Sequence, residues 1–262
     1  YYLGITGGKG SIALDLRDEA DLAVARELAR RADVMIQNFK PGGLAKYGLD
    51  AATVRAANPR LVYASISGFG PREGAKVPGY DLMVQAVSGL MSLTGAPDGP
   101  PYRAGISVFD VMAGNHVVIG ILAALRHRDA TGDGQEVEVN LLSSALSGLV
   151  NHSSAWVAGG VVPYRMGNAH PSVYPYEPLP TADRDLIVAA PNDRIFRKLC
   201  DVLGIPEVPD DPRFRRNSDR TANRAELEPI LVERLATRGA EEGFALLVDA
   251  GEPCGPINTI DG

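Results

Sequence analysis

The sequence predicts an α/β protein in which a parallel sheet covered by helices is followed by a smaller α+β unit. Strand-like and helix-like segments alternate along the first part of the chain, which is the order of βαβ units. Prolines then become frequent at 159–180 and hydrophobic periodicity is lost, which predicts a linker or lid. The 262 residues, 45% of them hydrophobic, suffice for one large core or two smaller ones.

The large domain is predicted at residues 1–145. Four segments have the alternation or the short apolar run that is typical of strands: 11–16, 33–38, 61–67 and 135–141. Helical spacing of apolar residues predicts helices at 17–31, 50–57, 80–93 and from about Val108 to Arg128. The last helix ends on cationic residues with Gly132 just beyond, which is a typical helix stop.

The ends of two predicted strands point to a ligand site. Ligands of parallel sheets bind at the carboxyl ends of the strands. These ends are Gln37-Asn38-Phe39 and Ser67-Gly68-Phe69. We therefore expect residues of these two tripeptides to lie beside a bound ligand.

The rest of the chain is predicted to form a connection and a second domain. Residues 146–180 hold most of an apolar helix, at 142–158, and the proline-rich linker or lid. Residues 181–262 form the small α+β domain. Its predicted elements are a strand at 185–190, helices at 193–203, 223–236 and 240–249, and a loop at 251–258.

Composition excludes several classes of protein. The net charge of −6 and the lack of a basic cluster argue against a nucleic-acid partner. Two cysteines cannot build a disulfide framework, which favours a reducing compartment. The longest apolar run, at 117–125, is short of the ~20 residues that cross a bilayer, and no signal peptide is visible, so a cytoplasmic protein without a membrane partner is expected. The chain starts without Met and stops in loop-like sequence, so a fragment is expected.

Three familiar site motifs fail. The opening GITGGKGS at 4–11 lacks the hydroxyl residue after Lys9 that a P-loop needs, because Gly10 stands there. The four histidines are too far apart for zinc-ligand spacing, so no metal site is predicted. The segment Ser65-Ile66-Ser67-Gly68 follows a strand but lacks the leading glycine of a nucleophile elbow.

Asp110 stands at the head of an otherwise apolar helix, which leaves two interpretations open. It caps the helix, since Asp is a favoured cap and the helix dipole stabilises a negative charge there. Alternatively, it is an ionised nucleophile, because its i+3 and i+4 neighbours, Ala113 and Gly114, leave space beside the carboxylate. His116 lies on another face of the helix, so it is no partner for Asp110.

Five sequence stretches, taken together, resemble the class III coenzyme A transferases, the family of formyl-CoA transferase and carnitine CoA-transferase. They are NFKPGGLAKYGLD at 38–50, LVYASISGFG at 61–70, PGYDLMVQAVSGLMSLTG at 78–95, the Asp110 segment with ILAALRHRDATGDGQEVEVNLL at 121–142, and GEPCGPIN at 251–258. The similarity follows the family's order along the chain, although the family's N-terminal βαβ unit and its C-terminal return to the large domain are not matched.

The resemblance implies a large Rossmann-like domain, a small domain and an interlocked homodimer. It implies that Asp110 is the nucleophile that attacks an acyl-CoA thioester, first as a mixed anhydride and then as an aspartyl-CoA thioester. The partners implied are an acyl-CoA and a carboxylic acid, with coenzyme A as a substrate and no prosthetic group. Backbone N–H groups at the start of the Asp110 helix are candidate oxyanion donors.

The resemblance also assigns binding residues, each with a plainer alternative. Asn38, Phe39, Lys46 and Tyr47 match positions that hold coenzyme A, whereas Phe39 could be a buried anchor and Lys46 an exposed charge. Tyr80 and Asp81 match the acyl side of the pocket or simply begin a helix.

Two further residues of the resemblance are weighed against structural roles. His170, in GNAHP, matches a loop over the nucleophile or has a structural role, because the family's glycine run is missing there. Cys254 is expected to be a packed core residue rather than a reactive thiol.

Two other functions remain as alternatives. α-Methylacyl-CoA racemases belong to the same family, but their catalytic histidine falls on Tyr80, whose usual pKa near 10 makes it a poor base. A CoA-ester isomerase is a related possibility. A non-catalytic CoA-binding protein is the third, although the carboxylate of Asp110 is present.

Overall fold

The computed structural model of the protein describes residue 4 and residues 6–261. Of the glycine-rich opening at 4–11, Ile5 lies outside the described residues. The chain divides into two compact units. The first comprises Tyr1–Ser92 and Tyr102–Pro163, and the second comprises Leu93–Pro101 and Tyr164–Gly262. The last passage of the chain from one unit to the other, at 163–164, falls within the segment that the sequence predicts as helix and linker.

The first unit contains a three-stranded parallel sheet, as the sequence predicts. Its strands are β1 (Val34–Gln37), β2 (Val62–Ser67) and β3 (Glu136–Asn140), in the order β1-β2-β3. Gln37 is in register with Ser65, and Ser67 with Asn140. The carboxyl ends of all three strands therefore lie on the same side of the sheet, here called its carboxyl edge, where ligands are expected.

Seven α-helices begin in the first unit in the described residues, and one of them, α4, ends one residue beyond its boundary. They are α1 (Glu19–Arg31), α2 (Ala51–Ala57), α3 (Asp81–Val87), α4 (Leu90–Leu93), α5 (Val108–Thr131), α6 (Leu141–Gly148) and α7 (Val150–Gly159). Asp18 and Asp50 cap α1 and α2 with their carboxylates. Gly132, with φ of 90°, ends α5 as predicted, because this left-handed conformation costs a glycine little.

Three predicted elements of the first unit differ from the structure. Residues 11–16 form no strand, because their alternating side chains find no partner strand and the Asp15 carboxylate instead accepts bonds from Arg17. The helix predicted at 80–93 is broken at Gly89, whose φ of 95° is left-handed. The helix predicted at 142–158 begins at Leu141 and is divided at Leu149 into α6 and α7.

Helix α5 packs along the sheet through one face. Its buried residues are Phe109, Ala113, Val117 and Ala124. By length and apolar composition alone α5 is also long enough to cross a membrane, although core helices of soluble proteins satisfy the same criterion. It contacts β2, β3 and α6, but only 22% of its apolar window is buried, and Val118, Ile119 and Leu122 remain exposed. The expectation of no membrane partner stays a prediction.

The second unit contains a three-stranded antiparallel sheet. Its strands are β4 (Tyr176–Pro180), β5 (Asp185–Ala189) and β6 (Cys254–Pro256), in the order β4-β5-β6. Its helices are α8 (Asp193–Val202), α9 (Asn217–Ala222), α10 (Arg224–Leu235) and α11 (Ala240–Asp249). The sequence predicts β5, α8, α10 and α11 but misses β4, β6 and α9. Two prolines in β4 conceal it, and they are tolerated there because β4 is an edge strand.

A buried arginine organises the core of the second unit. Arg220 is fully buried, and it donates to the carbonyl oxygens of Tyr174 at 2.9 Å and Phe214 at 3.1 Å. Its guanidinium pairs with Asp193 at 3.0 Å and stacks on the Phe196 ring with 4.3 Å to the centroid. One side chain thus satisfies two backbone carbonyls between elements that are far apart in sequence.

We predict that Arg220→Ala lowers the free energy of unfolding by about 3 kcal/mol, because it leaves two carbonyls without donors and opens a cavity. Urea titration followed by circular dichroism measures the change. Arg197→Ala is the matched control, since Arg197 pairs with Asp210 on the surface and its loss is expected to change little. Equal losses in the two variants would contradict the assigned role of Arg220.

Candidate active site

Asp110 lies in the first turn of α5, but it does not cap the helix. The residue at the cap position is Ser107, whose side chain makes no capping bond. The backbone N–H groups of Phe109 and Asp110 instead donate to one carboxylate oxygen of Asp81, at 2.7 and 3.2 Å. The capping interpretation of Asp110 is therefore wrong, because Asp81, at the start of α3, supplies the acceptor.

The first-turn amides of α5 are all engaged. Besides the two that Asp81 accepts, the N–H of Val108 donates to the carbonyl of Ile106 and the N–H of Val111 to the carbonyl of Ser107, at 3.0 and 3.2 Å. The N–H groups of Val108, Phe109 and Asp110 are among those that usually lack partners at a helix start, whereas the Val111 bond is the first bond within the helix. These three groups already have acceptors in this structure, and their role as oxyanion donors stays a prediction.

Asp110 faces a cleft at the carboxyl edge of the parallel sheet. The cleft has a volume of about 440 Å³. It is lined by Asn38, Phe39, Lys40, Pro41, Ser67, Gly68, Ala75, Val77, Pro78, Gly79, Tyr80 and Asp110. Both predicted strand ends contribute to it. The cleft therefore joins the ends of β1 and β2 to the first turn of α5.

The structure brings together part of the predicted site. Asn38, Phe39 and Tyr80 share the cleft with Asp110. The Phe39 side chain is 55% exposed, so its alternative role as a buried anchor is wrong. Tyr80 is 73% exposed and precedes α3 without a capping bond from its side chain.

The other predicted residues lie apart from the lining. Lys46 and Tyr47 belong to a single 3₁₀ turn, and the Lys46 ammonium lies 4.7 Å from the centre of the Tyr47 ring. Asp81 is buried behind the first turn of α5, where Gln85 Nε2 donates to its second oxygen at 2.5 Å. The binding roles given to these three residues stay predictions.

Lys40 was not selected from the sequence, although it lines the cleft. It stands between Phe39 and Pro41 at the end of β1. A smaller recess of about 190 Å³ adjoins the cleft, and Lys40 lines that recess too. Its neighbours there include Asp50, Glu136 and Glu138. The position of Lys40 directly after two predicted ligand residues was the signal that could have identified it.

The surroundings of Asp110 change the pKa of its carboxyl group. Partial burial beside the cleft raises the pKa of Asp110, and the nearby negative charge of Asp81 raises it further. The dipole of α5 acts in the opposite direction, because a helix start stabilises an anion. The pKa rises nonetheless, so Asp110 is a more basic carboxylate than a solvated aspartate.

Small residues shape the space beside Asp110. Ala113 is buried against the core, whereas a side-chain carbon added at Gly114 would meet nothing within 4 Å. Gly68 and Gly79 allow the chain before α3 to approach the end of β2, since a side-chain carbon on Gly79 would lie 2.3 Å from the Gly68 Cα. This close approach brings Tyr80 to the cleft.

Two other predicted residues lie in the second unit. The His170 carbonyl accepts a bond from Arg224 at 2.7 Å, and the His170 ring meets the Tyr176 ring edge-on at 5.3 Å. Its proposed place over the nucleophile stays a prediction. Cys254 packs against the core of its unit, and burial raises the pKa of its thiol, as expected of an unreactive cysteine. The described residues contain no cluster of three or more metal-ligating side chains.

Comparisons with known proteins all point to a single protein family. The CoA-transferase family III model matches residues 1–262. A succinate–glutarate CoA-transferase of Agrobacterium fabrum is 43% identical over 262 residues, which are 100% of this chain and 66% of that protein. An acetyl-CoA:oxalate CoA-transferase of Acetobacter aceti is 40% identical over 98% of this chain and 67% of its own length.

A solved structure matches as well. It is that of a CAIB/BAIF family protein from Brucella suis, which is 44% identical and has a TM-score of 0.82. The match covers 97% of this chain and 68% of that one. This chain therefore spans about two thirds of the length of the proteins that it matches.

We predict that Gly79→Ala lowers the free energy of unfolding by about 2 kcal/mol, because the new methyl group would collide with the backbone of Gly68. Urea titration measures the loss. Gly105→Ala is the control, since a side-chain carbon there meets nothing within 4 Å. A Gly79→Ala variant as stable as Gly105→Ala would show that the close approach is not maintained.

Proposed function

This chain belongs to CoA-transferase family III, and from that premise we propose that the protein transfers coenzyme A between an acyl-CoA thioester and a carboxylic acid. Asp110 is the nucleophile in this proposal. The observation that supports it most directly is that the Asp110 carboxylate lines the cleft, while Asp81 accepts the amide bonds at the start of α5. The Asp110 side chain is thus available for chemistry.

In the proposed reaction, four acyl-transfer steps pass through Asp110. Its carboxylate oxygen bonds to the thioester carbonyl carbon, the carbon–sulfur bond breaks, and CoA thiolate leaves a mixed anhydride behind. The thiolate then attacks the aspartyl carbonyl carbon and releases the first carboxylate, which gives an aspartyl-CoA thioester. The incoming carboxylate displaces the thiolate to form a second anhydride. Attack by the thiolate on the new acyl carbon yields the new acyl-CoA and restores Asp110.

The cleft offers features that suit coenzyme A as a substrate. Phe39 presents an exposed ring for apolar or stacking contact, and Asn38 adds a polar side chain beside it. Lys46 and Tyr47, in the turn that follows, are proposed to meet a phosphate and the adenine end. No step of the reaction calls for a prosthetic group.

We also propose that the acid is a dicarboxylic acid and that Lys40 binds its second carboxylate. The relatives described above are named for glutarate, succinate and oxalate, which are dicarboxylates. Among the residues that line the cleft, Lys40 is the cation and Asp110 the anion. A substrate whose one carboxyl group reacts at Asp110 would keep its other carboxylate within the field of Lys40.

The assembly and compartment are proposals as well. Apolar side chains are exposed on α5, among them Ile119 and Leu122, and on α7, among them Trp156 and Val157, and we propose that a second copy of the chain covers them. We propose the interlocked homodimer that the family resemblance implies, in the cytoplasm. The two cysteines, both free, are compatible with a reducing compartment.

Trapping with hydroxylamine tests the nucleophile. We predict that the full-length protein, incubated with acyl-CoA and then hydroxylamine, carries a hydroxamate on Asp110 that mass spectrometry locates. Asp110→Asn should carry none and should lose about 1000-fold or more in kcat/KM, because the amide is not a nucleophile. Exchange of the substrate α-proton for deuterium without trapping would instead indicate a racemase or isomerase. Binding without either reaction would indicate a CoA-binding protein.

A charge substitution tests the acid specificity. We predict that Lys40→Met raises the KM for glutarate about 10-fold or more, because one charged hydrogen bond is lost. The KM for acyl-CoA and for a monocarboxylate of equal length should stay unchanged. Lys46→Met is the matched control, for which the KM for acyl-CoA should rise instead. If Lys40→Met raises the KM for acyl-CoA alone, then Lys40 binds a CoA phosphate.

A further inference from the structure

Gln85 is a fully buried polar residue whose hydrogen bonds join its own helix, α3, to the segment that enters α5. Its Nε2 donates to Asp81 at 2.5 Å and to the Ile106 carbonyl at 3.2 Å. Its Oε1 accepts from the Ala104 N–H at 2.8 Å. Gln85 lies one helical turn after Asp81 on α3, so both side chains share one face of that helix.

These bonds continue through Asp81 to the nucleophile. One oxygen of Asp81 takes the bond from Gln85, and the other takes the amides of Phe109 and Asp110. The segment that enters α5, at 104–106, and the first turn of α5 are therefore held by the same pair of side chains. Burying such a pair costs free energy unless every polar atom is satisfied, and here each has a partner with defined geometry.

We propose that Asp81 and Gln85 act as a clamp that positions Asp110 and increases its nucleophilicity. The proposal rests on Asp110 being the nucleophile of the proposed transferase. Gln85 fixes the segment that enters α5, and Asp81 holds the N–H groups of Phe109 and Asp110. Asp81 and Gln85 are positioning residues, because neither is among the residues that line the cleft.

The charge of Asp81 gives the clamp its chemical effect. It occupies two amides that would otherwise stabilise an anion at the helix start, and it places a like charge near Asp110. Both effects destabilise the ionised form of Asp110, and a less stabilised carboxylate is more basic. Consistent with this, the pKa of Asp110 is raised by burial and by Asp81. The ionisable side chains that share the cleft with Asp110 are Lys40 and Tyr80.

Two variants of the full-length protein separate charge from position. Asp81→Asn keeps the size and the oxygen that accepts the two amides, but it removes the charge and replaces the oxygen that accepts from Gln85 with an NH2 group. Gln85→Met is the control for that lost bond. We expect it to lower kcat and to move the acidic limb of kcat/KM for acyl-CoA about one pH unit lower, because Asp110 loses a charge that raises its pKa. Gln85→Met keeps the Asp81 charge and removes the bonds to 104–106. It should lower kcat about 10-fold while the acidic limb stays in place.

Outcomes that contradict the proposal are equally specific. A purely structural role would lower the active fraction in both variants, leaving kcat per trapped hydroxamate and the position of the acidic limb unchanged. Wild-type kinetics in both variants would also overturn the clamp.

A measurement without catalysis keeps the two proposals distinguishable. Hydrogen exchange of the Phe109 and Asp110 amides should accelerate at least about 10-fold in Asp81→Ala, because their acceptor is gone. The control is the N–H of Val117, about two turns further along the same buried face of α5. It should exchange as in the wild type. Failure to trap a hydroxamate on the wild-type protein would overturn the transferase but not this result. Unchanged exchange at 109 and 110 would overturn the clamp alone.

Discussion

The carboxylate of Asp81 bonded to the first amides of α5 is the interaction on which the arrangement of the site depends. Every helix begins with N–H groups that need an acceptor, and the usual source is a side chain just before the helix. In this protein the acceptor comes from a different helix, 28 and 29 residues earlier in the chain. The bond therefore satisfies the helix and, at the same time, fixes α3 against α5.

That choice of acceptor determines what Asp110 can do. A carboxylate that caps its own helix accepts hydrogen bonds that stabilise its ionised form and so make it less reactive. Because Asp81 takes those bonds, the Asp110 side chain lines the cleft beside Lys40 and Tyr80. The cost is a buried carboxylate, and Gln85 offsets that cost with a hydrogen bond of its own. Asp81 thus supports the helix start, while the Asp110 side chain lines the cleft.

The parallel sheet supplies the other side of the same site. Its three strands end at one edge, so Asn38, Phe39 and Lys40 from β1 meet Ser67 and Gly68 from β2 without a long connecting loop. The glycine pair at 68 and 79 then permits the chain before α3 to close on that edge. The second unit depends on a different interaction. The Arg220 guanidinium donates to the backbone carbonyls of Tyr174 and Phe214, which lie outside its helices and strands.

The sequence by itself determined the features that depend on neighbours in the chain: the parallel strands β1, β2 and β3, and the long helix α5 with its stop at Gly132. These follow from periodicity and turn chemistry, which act over a few residues. The site roles of Asp110, Asn38, Phe39 and Tyr80 came from the family resemblance, because their local pattern alone left structural roles open. Only the tertiary structure decided that Asp81 caps α5, that the first-turn amides are occupied, that Lys40 lines the cleft, and that β4 and β6 are strands while 11–16 is not. Each of these depends on a partner far away in sequence, because a strand needs a neighbouring strand and a buried polar group needs a specific acceptor. No local pattern encodes which partner will be there.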